Sequence, residues 1–114
     1  MELTMYHNPR CTKSKQVLKM IEESGLSCNV IEYLNAPPTE EQLAKIYLQL
    51  GTEGKKMIRT HEEEFRKFDV NLDSPESIAQ AIAQVPKLME RPIVIRDSKA
   101  VIGRPPERVE ELLV

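Results

Sequence analysis

The sequence predicts an α/β fold: a mixed four-stranded sheet flanked by helices, with a helical insertion between its two halves. Three observations carry this. Residues 3–34 run strand, loop, helix, strand, the pattern of a parallel βαβ unit. Residues 92–102 hold two short apolar runs around a polar turn, the pattern of an antiparallel hairpin. Between them, residues of about 39–86 carry helix caps and helical spacing.

Each element has a local reason. Leu3 to Tyr6 is a short apolar run, consistent with a buried strand. His7-Asn8-Pro9-Arg10 reads as a turn, because Asn and Pro both favour turns and Pro lacks a backbone donor. A helical pattern from Cys11 to Ser24 sets Val17, Leu18 and Ile21 on one side, and Gly25 suits the left-handed cap that ends it. Val30 to Leu34 reads as the second strand, joined to the first by a right-handed crossover. Pro37-Pro38 closes this unit. Thr39-Glu40-Glu41-Gln42 forms a capping box, and Leu43, Ile46, Tyr47 and Leu50 follow at helical spacing up to Gly51. The charged stretch 54–68 suggests short helical turns. Ser74-Pro75 opens another helix, with Ile78, Ala81, Ile82 and Val85 as its buried stripe. Pro92 to Ile95 and Ala100 to Ile102 pair around Arg96-Asp97-Ser98-Lys99. Pro105-Pro106 opens a last helix with Val109, Leu112 and Leu113 facing inward. The order β-α-β, helical insert, β-β-α is the thioredoxin-like plan.

The chain has 114 residues, which fits one domain spanning 1–114 with the insert at about 39–86. A formal net charge of -2 lacks the basic excess of a nucleic-acid binder. No apolar run is long enough to span a membrane, and Met1-Glu2-Leu3-Thr4 shows no secretion signal, so a cytoplasmic protein is expected, by default a monomer. Two cysteines are too few for a disulfide scaffold. A zinc site would need Cys11, Cys28, His7 and His61 together, at spacings that match no close-paired pattern, so no metal is expected. No glycine-rich phosphate motif supports a bound nucleotide cofactor.

Cys11 is the informative position. It follows a strand and a tight turn and stands at the start of a helix, where free N–H groups favour an anion. Arg10, Lys13 and Lys15 add positive charge nearby, and His7 adds more when protonated. These features favour a thiolate, the nucleophilic form, over an inert buried thiol. Position 14 is Ser, so the Cys-x-x-Cys of a dithiol oxidoreductase is absent and a reaction at Cys11 needs an external thiol to finish. Ser14 is open to two readings, a hydrogen-bond donor to the Cys11 sulfur or an ordinary polar residue of the first helical turn. Cys28 lies just before the second strand, far from the helix start, and reads as structural or incidental. Arg59, Arg91 and Arg104 stand out among the basic residues; Arg91 and Arg104 each precede a proline at the edge of an element. A guanidinium fork suits tetrahedral oxyanions, although each arginine alone reads as surface charge.

Taken together, these residues resemble the glutaredoxin- and glutathione-dependent arsenate reductases of the ArsC/Spx superfamily. The resemblance rests on Tyr6-His7-Asn8-Pro9-Arg10-Cys11-Thr12-Lys13-Ser14-Lys15, on Tyr33-Leu34 to Pro37-Pro38, and on Ile58-Arg59-Thr60. It continues through Glu90-Arg91-Pro92-Ile93-Val94 and Gly103-Arg104-Pro105-Pro106-Glu107, covering nearly the whole chain. It implies that Cys11 attacks the arsenic of arsenate, that glutathione as co-substrate attacks the adduct, and that glutaredoxin resolves the product and releases arsenite. It implies that Arg59, Arg91 and Arg104 hold the oxyanion. His7 matches the family's histidine that favours the thiolate; Ser14, Asn8, Arg10 and Thr12, which flank Cys11 in this sequence, are the expected supporting residues. The Arg91-Pro92 bond matches a position that is typically cis in this fold. Two departures stand out: Arg10 replaces a small residue, and the acidic Glu62-Glu63-Glu64 after Arg59 would compete with an oxyanion for that arginine.

Two other functions share these features. One is a glutathione-dependent thiol reductase acting on another substrate. The other is an Spx-like redox regulator that binds RNA polymerase, which Ser14 and the three arginines disfavour.

Overall fold

The structure, a computed structural model, describes residues 2–114. The chain divides into two compact units, one made of the residues up to Ala36 together with Arg91–Val114, the other of Pro37–Glu90.

The first unit is built on a four-stranded sheet of order β2-β1-β3-β4, with β1 at Leu3–His7, β2 at Cys28–Glu32, β3 at Ile93–Arg96 and β4 at Lys99–Ile102. β1 runs parallel to β2 and antiparallel to β3, and β3 and β4 form a hairpin. The sheet is therefore mixed, as the sequence predicts. Helix α1, Thr12–Ser24, makes the crossover from β1 to β2. Gly25 ends it at φ 78°, in the left-handed region that glycine adopts without a Cβ clash. Leu3, Met5, Val17, Ile21, Val94, Val101, Val109 and Leu112 form one buried cluster between the sheet, α1 and the C-terminal segment. Burial of each such side chain contributes about 1.5–3 kcal/mol.

Two boundaries and one helix type differ from the sequence reading. β2 begins at Cys28 and ends at Glu32, so Tyr33 and Leu34 fall in the following turn. Tyr33 is nonetheless fully buried, which is why its neighbourhood looks strand-like in sequence. The hairpin turn is tighter than expected: Arg96 pairs with Lys99, leaving Asp97 and Ser98 as the turn, with Asp97 at φ 57°. Asp is among the few residues that tolerate that conformation. The last helix, Pro106–Leu112, is 3-10. Seven residues opened by proline give it little opportunity to establish the i→i−4 ladder.

Gly103 has a packing role in this unit. A Cβ there would lie 2.9 Å from Pro92 Cγ and 2.9 Å from Val17 Cγ2. The Arg91-Pro92 and Arg104-Pro105 peptide bonds are both cis.

The second unit is helical and extends slightly beyond the expected insert at both ends. Helix α2, Glu40–Gln49, opens with the full capping box: Gln42 N–H donates to Thr39 Oγ1 at 3.1 Å and Thr39 N–H to Gln42 Oε1 at 2.9 Å. Helix α3, Pro75–Gln84, is capped by Ser74, whose hydroxyl accepts the Ser77 N–H at 3.2 Å. α2 and α3 pack together, burying Leu43, Ile46, Ile78 and Ile82. Short 3-10 turns fill Gly51–Met57 and Glu63–Lys67. An antiparallel bridge joins Ile58 to Met89, with Arg59 N–H donating to the Leu88 carbonyl at 2.7 Å and Glu90 N–H to that of Met57 at 2.7 Å. No helix among the described residues is long and apolar enough to cross a membrane.

Candidate active site

The loop between β1 and α1 places Cys11. Asn8 organises it: its backbone carbonyl accepts the Cys11 N–H at 3.0 Å and its side-chain oxygen accepts the Arg10 N–H at 3.0 Å. Cys11 is the N-cap of α1, in an extended conformation at φ −96°, ψ 121°. Its carbonyl already accepts the Lys15 N–H at 3.0 Å. The cysteine side chain therefore sits where Ser, Thr or Asp usually caps a helix, next to N–H groups that have no partner within the helix.

Burial alone would raise the Cys11 pKa. Hydrogen bonds from the Ser14 N–H, the Arg91 and Arg104 side chains and the Lys13 N–H outweigh that and hold it below the usual thiol value. Arg104 donates to the sulfur at 3.7 Å and also to the Arg91 carbonyl at 3.0 Å. One guanidinium thus spans the thiol and the backbone just before Pro92. Cys11, Arg91 and Arg104 meet within the first unit. Arg10 and Lys15 are exposed and are not among the main causes of the shift, while Lys13 acts through its backbone N–H. Thr12 is exposed and begins α1.

Ser14 takes neither of the roles open to it in sequence. It is fully buried, its hydroxyl shares a 2.7 Å hydrogen bond with His7 Nδ1, and it accepts the Asn8 N–H at 3.1 Å. Its backbone N–H, and not its hydroxyl, serves the Cys11 sulfur. Burial pushes the His7 pKa down, against the opposing pull of Glu32, which favours the neutral ring. The His7–Ser14–Asn8 chain locks β1, the loop and the first turn of α1 into one piece.

Arg59 belongs to the second unit. Its guanidinium donates to Glu90 Oε1 at 2.8 Å and lies 3.1 Å from His61 Nε2, and its buried Nε has no hydrogen-bond partner among the described residues. The expected competition from Glu62 and Glu64 is absent, because Lys87 draws both side chains, at 3.8 and 3.0 Å. Nothing in the sequence position of Glu90 marks it as this partner. It lies 31 residues from Arg59, and only the Ile58–Met89 bridge brings the two together.

Cys28 opens β2 opposite Leu3, whereas His7 at the other end of β1 leads to Cys11. The two thiols thus lie at opposite ends of the parallel pair, separated by about 3.3 Å for each strand residue. Both are free, and burial, with Glu2 nearby, pushes the Cys28 thiol up. No group of three or more His, Cys, Asp or Glu capable of holding a metal occurs among the described residues.

Residues 6–112 match the model of the ArsC family. The chain belongs to the ArsC family. An arsenate reductase of Neisseria meningitidis serogroup A is 38% identical over 116 residues, with 98% of each chain covered. The uncharacterized protein YfgD of Escherichia coli is 39% identical over 116 residues, covering 98% of this chain and 97% of its own. Among solved structures, an arsenate reductase from Vibrio cholerae superimposes with a TM-score of 0.86 at 39% identity, covering 97% of both chains. This ArsC-family chain thus shares the thioredoxin-like fold of its structural neighbours.

Proposed function

We propose that this ArsC-family chain is an arsenate reductase that draws its electrons from glutathione and glutaredoxin in the cytoplasm. The observation that carries the reading is the Cys11 thiol at the start of α1, held below its usual pKa by helix N–H groups and by Arg91 and Arg104. The names of relatives nearly 40% identical over the full chain support the same substrate.

Arsenate carries one to two negative charges near neutral pH, so an attacking thiolate meets like charge. The guanidinium groups of Arg91 and Arg104 offset that repulsion and stabilise the charge that develops as the sulfur bonds to arsenic. The family resemblance makes Arg59 the third oxyanion arginine, and Glu90 holds its guanidinium at 2.8 Å. In the first step a Cys11 sulfur–arsenic bond forms and an arsenic–oxygen bond breaks, the oxygen leaving as water after protonation. Glutathione then brings a second thiol. The two sulfurs supply two electrons, arsenic passes from the pentavalent to the trivalent state, and glutaredoxin resolves the mixed species as arsenite departs. Ser14 supports the external thiol, because it occupies the place a local resolving cysteine would take.

The test is arsenate-dependent NADPH oxidation coupled through glutathione, glutaredoxin and glutathione reductase. Turnover by the wild type that Cys11→Ser abolishes supports the proposal. A folded wild type with a reactive Cys11 and no turnover on arsenate rejects it.

A further inference from the structure

A cleft of about 370 Å³ opens beside the loop that delivers Cys11, at the carboxyl ends of β1 and β2. It lies entirely within the first unit. Arg10 and Glu32 supply its charges, Asn8 and Asn35 its amides, and Pro9 and Leu34 its apolar surface. The volume is within the range of sites that hold small ligands. Arg10 stands one residue before Cys11 and is exposed, its guanidinium open to the cleft. Leu34 is 47% exposed, an apolar side chain left uncovered at the cleft edge.

Resting on the reading of Cys11 as a nucleophile that needs an external thiol, we propose that this cleft is the docking site for that thiol, a small zwitterionic peptide of the glutathione type. Such a peptide carries two carboxylates and one ammonium. Arg10 takes a carboxylate, Glu32 takes the ammonium, and the two asparagine amides are available to the peptide bonds. Asn35 Nδ2 already reaches Glu32 Oε1 at 3.4 Å, which steadies the carboxylate at the rim. Another cleft flanking the first turn of α1, about 570 Å³, contains Lys13 against Glu107 and Glu110. Its negative balance disfavours a peptide of net negative charge, whereas Arg10 and Glu32 balance one another. A further cleft lies by the β3–β4 turn, at the Leu3 end of the sheet and away from Cys11.

S-methylglutathione, which cannot react, is the probe. Titrated into the full chain and followed by amide NMR, it is expected to shift residues 7–10 and 32–35. Arg10→Glu is expected to weaken this binding at least about fivefold, because it replaces an attractive exposed charge by a repulsive one, and to raise the KM for glutathione more than the KM for arsenate. In Glu32→Gln, N-acetylation of the probe is expected to cost no further affinity, whereas in the wild type it does. Shifts confined to Lys13, Gln16 and Glu107, or a glutathione KM unmoved in Arg10→Glu, would overturn the assignment and leave arsenate reduction standing. Binding of the probe at 7–10 and 32–35 without arsenate turnover would keep the docking site and reject the arsenate substrate.

Discussion

The Arg104 guanidinium lies 3.7 Å from the Cys11 sulfur and is anchored from the same nitrogen to the Arg91 carbonyl at 3.0 Å. The two residues are 93 positions apart in the chain. The sheet brings them together, because Arg104 follows β4 and Cys11 follows β1, with β3 lying between those strands. The thiol therefore faces a charge whose position is set by backbone, which lowers the reorganisation required during reaction.

Arg104→Ala is expected to lower kcat/KM for arsenate by about 100- to 1,000-fold, the usual loss when one preorganised donor to a developing anion is removed. Arg104→Lys is expected to recover only part of it, since an ammonium keeps the charge but loses the planar pair of donors a guanidinium offers a tetrahedral oxyanion. Steady-state kinetics on the coupled assay measure both.

The depressed Cys11 pKa also sets a pH dependence of stability. The folded state binds the proton more weakly than the unfolded state, so the ionised thiol stabilises the fold above the unfolded thiol pKa of about 8.5. That contribution is lost as pH falls through the folded value. Wild type is therefore expected to gain stability over Cys11→Ser as pH rises through that window. Urea unfolding at a series of pH values checks the sign; a gap that shrinks as pH rises would contradict it.

Ser14→Ala removes a hydroxyl that is fully buried and bonded to both His7 Nδ1 and the Asn8 N–H. Leaving such groups without a partner costs about 1–3 kcal/mol. Chemical denaturation is expected to show that loss. Cys11 reactivity is expected to fall as well, because the same hydrogen bonds hold the first turn of α1 against the loop.

Gly103→Ala is expected to cost about 1–3 kcal/mol by overpacking, since its Cβ would meet Pro92 and Val17 at 2.9 Å and Val109 Cγ1 at 3.2 Å. Thermal unfolding measures it. Gly25→Ala places its methyl in open space but at φ 78°, so its cost comes from backbone conformation alone.

Much of the sheet was legible because its signals are local. Thr39 and Ser74 announce their helices through hydrogen bonds that span three residues, and Gly25 marks the end of α1 by a backbone angle. The place of Cys11 at a helix start was legible for the same reason. What lay beyond the sequence was pairing at a distance. Glu90 meets Arg59 only through the register of Ile58 against Met89. Lys87 removes Glu62 and Glu64 from contention through a contact that no periodicity encodes. His7 looked like a charge beside Cys11, and burial made it a neutral partner of Ser14. Charge counted along a sequence overstates exposed groups such as Arg10 and Lys15, which water screens, and misses backbone N–H groups, which it does not show.

The most direct test is the rate of Cys11 alkylation by iodoacetamide as a function of pH, on Cys28→Ser to leave one thiol, with and without Arg104→Ala. The expected profile has its inflection below the free-thiol value of about 8.5, shifted upward when Arg104 is removed. An inflection at or above 8.5 that Arg104→Ala leaves unmoved would contradict an activated Cys11 thiolate.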